Sequence, residues 1–134
     1  MAYTIGEVAE LFQIPASTLR YYDKKGLLPM VERKKGGIRF FTDKDLQGIE
    51  TIEYLKKSGM PLKDIKKFID WCNEGEKTLQ KRYELFLERR DLVKQEIKDL
   101  EETLKVIEAK CAYYEEAIEK GYEDQSNCPF VTQK

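Results

Sequence analysis

Ser17, Arg20, Tyr21 and Lys24 recur at i, i+3, i+4 and i+7, the spacing that puts four side chains on one face of a helix. A hydroxyl, a guanidinium, a phenol and an ammonium make a poor packing surface. They suit a groove lined with base edges and phosphates, where a guanidinium reads bases and the other groups hold the backbone. An ordinary solvated face has the same composition, so the surroundings must decide. Leu19 points to another side of this helix, with Tyr22 near it.

Catalytic chemistry has little to draw on. The 134 residues include no His, which removes imidazole ligands, proton relays and His-based triads. No nucleophile–base pair and no glycine-rich phosphate loop is present, so an enzyme is not expected. The three cysteines, Cys72, Cys111 and Cys128, are odd in number and widely spaced, unlike a secreted disulfide framework. Thiolates can hold soft metals without imidazole, and reactive thiols sense oxidants and electrophiles. The plainer reading makes Cys111 and Cys72 packing residues and Cys128 incidental. No metal site is assigned, and the sequence identifies no cofactor.

Charge supplies the context that the stripe needs. The chain has 24 Lys and Arg against 25 Asp and Glu, a net charge of −1. This offers no global field toward nucleic acid or membrane. The distribution is uneven: residues 1–70 carry 13 bases and 10 acids, residues 71–134 carry 11 and 15. Between Arg20 and Lys44 lie eight bases and three acids, a concentration of the kind that phosphate binding uses.

The elements that must position these groups follow from turn and capping signals. Thr4-Ile5-Gly6-Glu7 has the spacing of a capping box, and Ile5, Val8, Ala9 and Phe12 continue at helical spacing. After the short break at Gln13-Ile14, Pro15 sits at the first turn of a second helix that reaches about Lys25 before Gly26 ends it. Two short helices joined so closely must cross steeply, as in a helix-turn-helix. Met30 to Phe41 reads as a small basic hairpin: Arg33-Lys34-Lys35 leads into the turn signal Gly36-Gly37, and Ile38-Arg39-Phe40-Phe41 alternates like a strand. Such a hairpin is a wing that lays cations along a phosphate backbone. Thr42 or Asp43 caps a third helix to about Ser58. Gly59-Met60-Pro61 stops it, and a fourth helix runs to about Cys72.

Asn73-Glu74-Gly75 is the one plausible boundary, dividing a winged helix-turn-helix domain (1–75) from a long helix (76–120) and a C-terminal tail (121–134). From Glu76 to about Lys120 there is neither Gly nor Pro. Leu79, Tyr83, Phe86, Arg90, Val93, Ile97, Leu100, Leu104, Ile107, Cys111, Tyr114 and Ile118 step by alternating fours and threes, an a/d heptad seam. A helix of that length spans on the order of 65 Å, so its seam requires another helix. A homodimer is the economical answer. Arg90 either fixes the register of the seam or snorkels past it to water.

Thr4-Ile5-Gly6-Glu7-Val8-Ala9, Thr18-Leu19-Arg20-Tyr21-Tyr22-Asp23-Lys24-Lys25-Gly26-Leu27-Leu28 and Gly37-Ile38-Arg39 together resemble the MerR family of bacterial transcriptional regulators. Gly59-Met60-Pro61-Leu62-Lys63-Asp64-Ile65 is similar to that family's turn between its third and fourth helices. The resemblance implies a mainly α fold: a winged helix-turn-helix followed by a long dimerisation helix in an antiparallel two-stranded coiled coil. It implies a homodimer on a pseudo-palindromic operator in double-stranded DNA, bending and untwisting it so that RNA polymerase can use promoter elements that are otherwise too far apart. Carried onto this chain, it assigns Arg20 and Tyr22 to recognition-helix contacts, with Ser17, Thr18, Tyr21 and Thr4 beside them. Arg33, Lys34 and Arg39 fall on wing cations, and Lys56 on a phosphate-contacting base. Phe41 stands where the family commonly has Tyr, so no phenol reaches a phosphate there.

Family members often sense an effector near the distal end of the dimerisation helix. Cys111 lies near that end, Cys128 follows in Asn127-Cys128-Pro129-Phe130, and in an antiparallel dimer the partner's Cys72 falls in the same region. The family's metal sensors use a shorter cysteine spacing, and its aldehyde-sensing branch carries a helix-3 cysteine where this chain has Tyr54. An aromatic ligand pocket from Tyr113, Tyr114, Tyr122, Phe130 and Trp71 is a further candidate, as is simple packing. The rival to a DNA-binding regulator is a coiled-coil adaptor whose basic N-terminal domain binds an acidic protein. No run of 18 apolar residues and no signal-peptide layout is present, so a cytoplasmic protein without membrane partners is expected.

Overall fold

The computed structural model describes residues 2–29, 32–33 and 39–132. The chain forms two compact units, Met1–Arg90 and Asp91–Lys134.

In the first unit, strand β1 (Ala2–Thr4) leads directly into α1 (Ile5–Phe12). Thr4 caps α1 with the expected box: its hydroxyl accepts from the Glu7 amide at 3.2 Å, and Glu7 accepts from the Thr4 amide at 3.0 Å. Gln13 takes a left-handed conformation at φ 58° to end the helix. α2 (Ala16–Lys24) then starts after Pro15, which sits at the cap position rather than inside the first turn. Gly26, at φ 77°, turns the chain out of α2 into the buried Leu27 and Leu28. A left-handed residue of this kind is where Gly is least strained.

Strands β2 (Glu32–Arg33) and β3 (Arg39–Thr42) form the expected wing, but the sheet has a third member. Its order is β1-β3-β2, all antiparallel, with Tyr3 opposite Phe41 and Thr4 opposite Phe40. β1 was not expected from the sequence, which gave Thr4 a capping role and a place beside the DNA contacts but no strand. Three residues are too few to show strand alternation, and their partner lies some 40 positions away.

α3 (Asp43–Lys57) is capped by Thr42, resolving the choice between Thr42 and Asp43. Its box closes through the buried Asp45, whose carboxylate accepts from the Thr42 amide at 2.8 Å. α4 (Leu62–Glu74) follows the turn at Gly59 and Pro61. Val8, Leu19, Tyr22, Phe41, Ile49, Ile52, Leu55 and Ile65 make the core where α1, α2, β3, α3 and α4 converge. Each such side chain contributes roughly 1.5–3 kcal/mol through burial, and together they fix α2 against the domain.

Glu76–Thr78 form one 3-10 turn rather than α-helix, and α5 (Leu79–Lys120) begins after it. Leu85 and Phe86 pack against the core of the first unit, Phe86 edge-on to Phe68 at 5.2 Å between ring centroids. Within the second unit, Gly121 ends the helix with its amide on the Ala117 carbonyl at 2.8 Å. The following chain folds back: the Tyr113 hydroxyl donates to Glu123 at 2.5 Å, and Asp124 accepts from both the amide and the hydroxyl of Ser126. Among the described residues, no helix is long and apolar enough to cross a membrane.

Candidate nucleic-acid interface

α2 splits into two faces along the lines of its sequence. Leu19 and Tyr22 are buried, while Ser17, Arg20, Tyr21 and Lys24 all stand exposed. A helix with 3.6 residues per turn can do this only if the four polar groups share a stripe. Lys25 lies 5.6 Å from the centroid of the Tyr21 ring, adding a cation beside it. Thr18 is half-buried, its amide bonded to the Pro15 carbonyl at 3.0 Å in the first turn. No side chain caps α2 at Pro15, which leaves the positive end of the helix suited to an anion. Thr4 is exposed, with its hydroxyl engaged in the α1 cap.

In the wing, Arg33 and Arg39 are direct cross-strand partners, so the backbone puts two cationic residues side by side. Their side chains, Lys34 and the Gly36-Gly37 turn lie outside the described residues. Phe41 is 0% exposed and belongs to the core. The absence of a phenol at this position therefore fits its surroundings, where a hydroxyl would lack water.

Tyr22, which the resemblance groups with the DNA contacts, has a side chain that is 1% exposed and turned toward α3. There its hydroxyl donates to Glu53 Oε1 at 2.8 Å and accepts from Lys56 Nζ at 2.5 Å. Burial, reinforced by the Glu53 carboxylate, holds the phenol far above its ordinary titration range. Lys56 itself is exposed at the surface of α3. Glu53 was not among the candidates from sequence. Its partner on α2 is 31 residues away, and no local pattern marks such a bond.

Along α5 the heptad seam is largely uncovered. Leu79, Tyr83, Ile97, Leu100, Leu104, Ile107, Tyr114 and Ile118 are exposed large apolar residues, Leu100 at 69% and Ile118 at 80%. Cys111 is exposed as well, and Val93 is half-buried. Phe86 differs, since it is already engaged with Phe68.

The candidate sensor groups fall in both units. Cys72 is exposed at the rim of an apolar groove with Leu28, Tyr54, Phe68 and Ile69, and Arg82 Nη1 lies 4.0 Å from its sulfur. Cys111 is exposed and Cys128 half-buried, both in the second unit. Among the described residues, no group of three or more Cys, Asp or Glu side chains is arranged to hold a metal. Tyr113 and Tyr114 meet edge to face at 4.9 Å, while Tyr122 and Phe130 are exposed.

Comparison with known proteins bears on this arrangement. The family model for MerR HTH family regulatory proteins matches residues 3–70. A Haemophilus influenzae protein named only as an HTH-type transcriptional regulator is 43% identical over 131 residues, covering 98% of this chain and 97% of its own length. The crystal structure of HiNmlR, described as a MerR family regulator lacking the sensor domain and bound to promoter DNA, is similar at a TM-score of 0.85. Its identity is 44%, and the match covers 91% of this chain and 97% of that one. A MerR family transcriptional regulator from Bacillus thuringiensis gives a TM-score of 0.77 at 44% identity, covering 85% of this chain and all of its own. These relatives are regulators of transcription, which disfavours the adaptor reading.

Proposed function

The chain belongs to the MerR family of helix-turn-helix transcriptional regulators, and from that premise we propose that it binds a pseudo-palindromic promoter operator as a homodimer. In this reading it controls transcription by bending and untwisting the DNA. The observation that carries the proposal is the exposed Ser17–Arg20–Tyr21–Lys24 stripe, in a chain 44% identical to a relative solved on promoter DNA.

Division of labour follows from the chemistry of each group. Arg20 reads a base edge in the major groove, and Ser17, Thr18 and Tyr21 make the accompanying groove contacts. Thr4, Arg33, Lys34, Arg39 and Lys56 hold phosphates and set the orientation. Residues 1–75 act as the DNA-binding domain, 76–120 as the dimerisation helix and 121–134 as a tail near the effector end. The uncovered apolar seam supports pairing with a second helix, because a row of large apolar side chains is costly to leave in water; the antiparallel sense is carried over from the family. RNA polymerase is the partner at the promoter, and the protein works in the cytoplasm, where the DNA is.

The test is in vitro transcription from a bound promoter whose spacer is shortened one base pair at a time. Regulation by deformation predicts that dependence on the regulator disappears when the spacer reaches a length that polymerase uses unaided. Dependence that persists at every spacer length contradicts it.

A further inference from the structure

Lys56, Tyr22 and Glu53 form a three-membered chain that links α3 to the inner side of α2. Lys56 Nζ donates to the Tyr22 hydroxyl at 2.5 Å, and that hydroxyl donates to Glu53 Oε1 at 2.8 Å. The ammonium also lies 5.0 Å from the centroid of the Tyr22 ring. The direction of the chain is fixed by donor and acceptor capacity. An ammonium only donates, a carboxylate only accepts, and the phenol between them has one proton to give. Because Glu53 takes that proton, the oxygen lone pairs of Tyr22 are left for Lys56.

Two features set this apart from an incidental surface pairing. Tyr22 is 1% exposed, so the hydroxyl has a fixed place in the core and can anchor a mobile neighbour. Lys56 as a residue is exposed, and its ammonium has two further N–H donors after serving Tyr22. Lysine normally surrenders considerable rotamer freedom on meeting a phosphate. Held here, it has given up part of that freedom during folding.

We propose that Glu53 is a positioning residue for DNA binding: by orienting the Tyr22 hydroxyl it holds the Lys56 ammonium against the recognition helix, ready for a backbone phosphate. The inference rests on Lys56 as a phosphate contact. Through it, the phosphate contacted by α3 and the bases read by α2 share one rigid frame, so that register on the backbone sets register in the groove.

Electrostatics alone predicts the opposite effect for Glu53, which makes the proposal easy to overturn. Removing a carboxylate near a polyanion strengthens binding by charge, whereas loss of the orienting bond weakens it. The experiment measures affinity for an operator duplex by fluorescence anisotropy across a salt series, with thermal melts confirming that each variant is folded. Glu53→Ala and Tyr22→Phe are expected to bind about three- to tenfold more weakly, with the salt slope reduced by about one. Glu53→Gln keeps an acceptor oxygen and is expected to bind at least as well as the parent. In a Lys56→Ala background, neither Glu53→Ala nor Tyr22→Phe should weaken binding further. Unchanged or tighter binding by folded Glu53→Ala overturns the positioning role, as does the same loss in the Lys56→Ala background. If Lys56→Ala leaves both affinity and salt slope unchanged on a duplex the parent binds, the phosphate contact itself is refuted, and the positioning role with it.

Discussion

Arg82 Nε donates to Thr78 Oγ1 at 3.1 Å, and the two side chains together close the turn between α4 and α5. Arg82 Nη2 also reaches the Gly75 carbonyl at 3.0 Å, while the Thr78 hydroxyl lies 2.6 Å from the Trp71 carbonyl and 2.8 Å from that of Gly75. Carbonyls at a helix end have no partners within the helix. Here Thr78 of the 3-10 turn, 2% exposed, and Arg82 of α5 add side-chain donors to the backbone amides that bond these carbonyls. Thr78→Val keeps the shape and removes the hydroxyl, so Arg82 Nε loses its acceptor, while the Trp71 and Gly75 carbonyls keep only their remaining partners. It should cost about 1–3 kcal/mol in chemical denaturation, and a loss under a few tenths of a kcal/mol would show that the junction draws its stability from elsewhere.

Arg20 and Arg39 occupy different parts of the proposed interface and should respond differently to truncation. Arg20→Ala should cost roughly 1–3 kcal/mol on operator DNA and flatten the preference over other sequences. Arg39→Ala should weaken all duplexes by similar factors. Competition titrations with operator and scrambled duplexes measure both. Equal losses on the two duplexes for Arg20→Ala would remove its readout role.

Leu100 is 69% exposed in the single chain, midway along the seam. Burying a Lys there against an apolar partner is costly, so Leu100→Lys should yield dissociated or unfolded protein in sedimentation experiments. A stable dimer in that variant would refute the seam as the interface.

The end of α5 carries a pH-dependent contact. The bond from the Tyr113 hydroxyl to Glu123 pushes the phenol up to about 12, with desolvation adding to it. Tyrosine ordinarily titrates near 10, and only its neutral form donates. The contact therefore contributes fully below pH about 10 and is lost as pH rises through the folded-state value. Glu123→Gln should bring the titration of Tyr113, followed by NMR on its ring, down toward 10. A titration that does not move would show that the contact is not made in solution.

Features written within a few consecutive residues were legible before the structure. The Thr4–Glu7 box, the break at Gln13-Ile14, the turn at Gly26 and the long helix without Gly or Pro each depend on local sequence alone, and the structure has them close to where expected. What escaped depends on distant partners. β1 is a strand because β3 lies beside it, and Glu53 matters because a tyrosine 31 residues earlier points at it. Tyr22 is the instructive case. Helical geometry put it near Leu19, on the apolar side, while the resemblance put it among the DNA contacts. The structure has it buried. One residue of offset is 100° of rotation, enough to separate Tyr21 in solvent from Tyr22 in the core.

The most direct test of the account is selection of bound duplexes from a random pool by the full-length protein, followed by affinity measurement at fixed salt. A base-reading homodimer predicts enrichment of two inverted half-sites. It also predicts at least about a thousandfold preference for the enriched duplex over a scrambled one, and loss of that preference with Arg20→Ala. Binding that enriches no dyad and treats operator and scrambled DNA alike would contradict it.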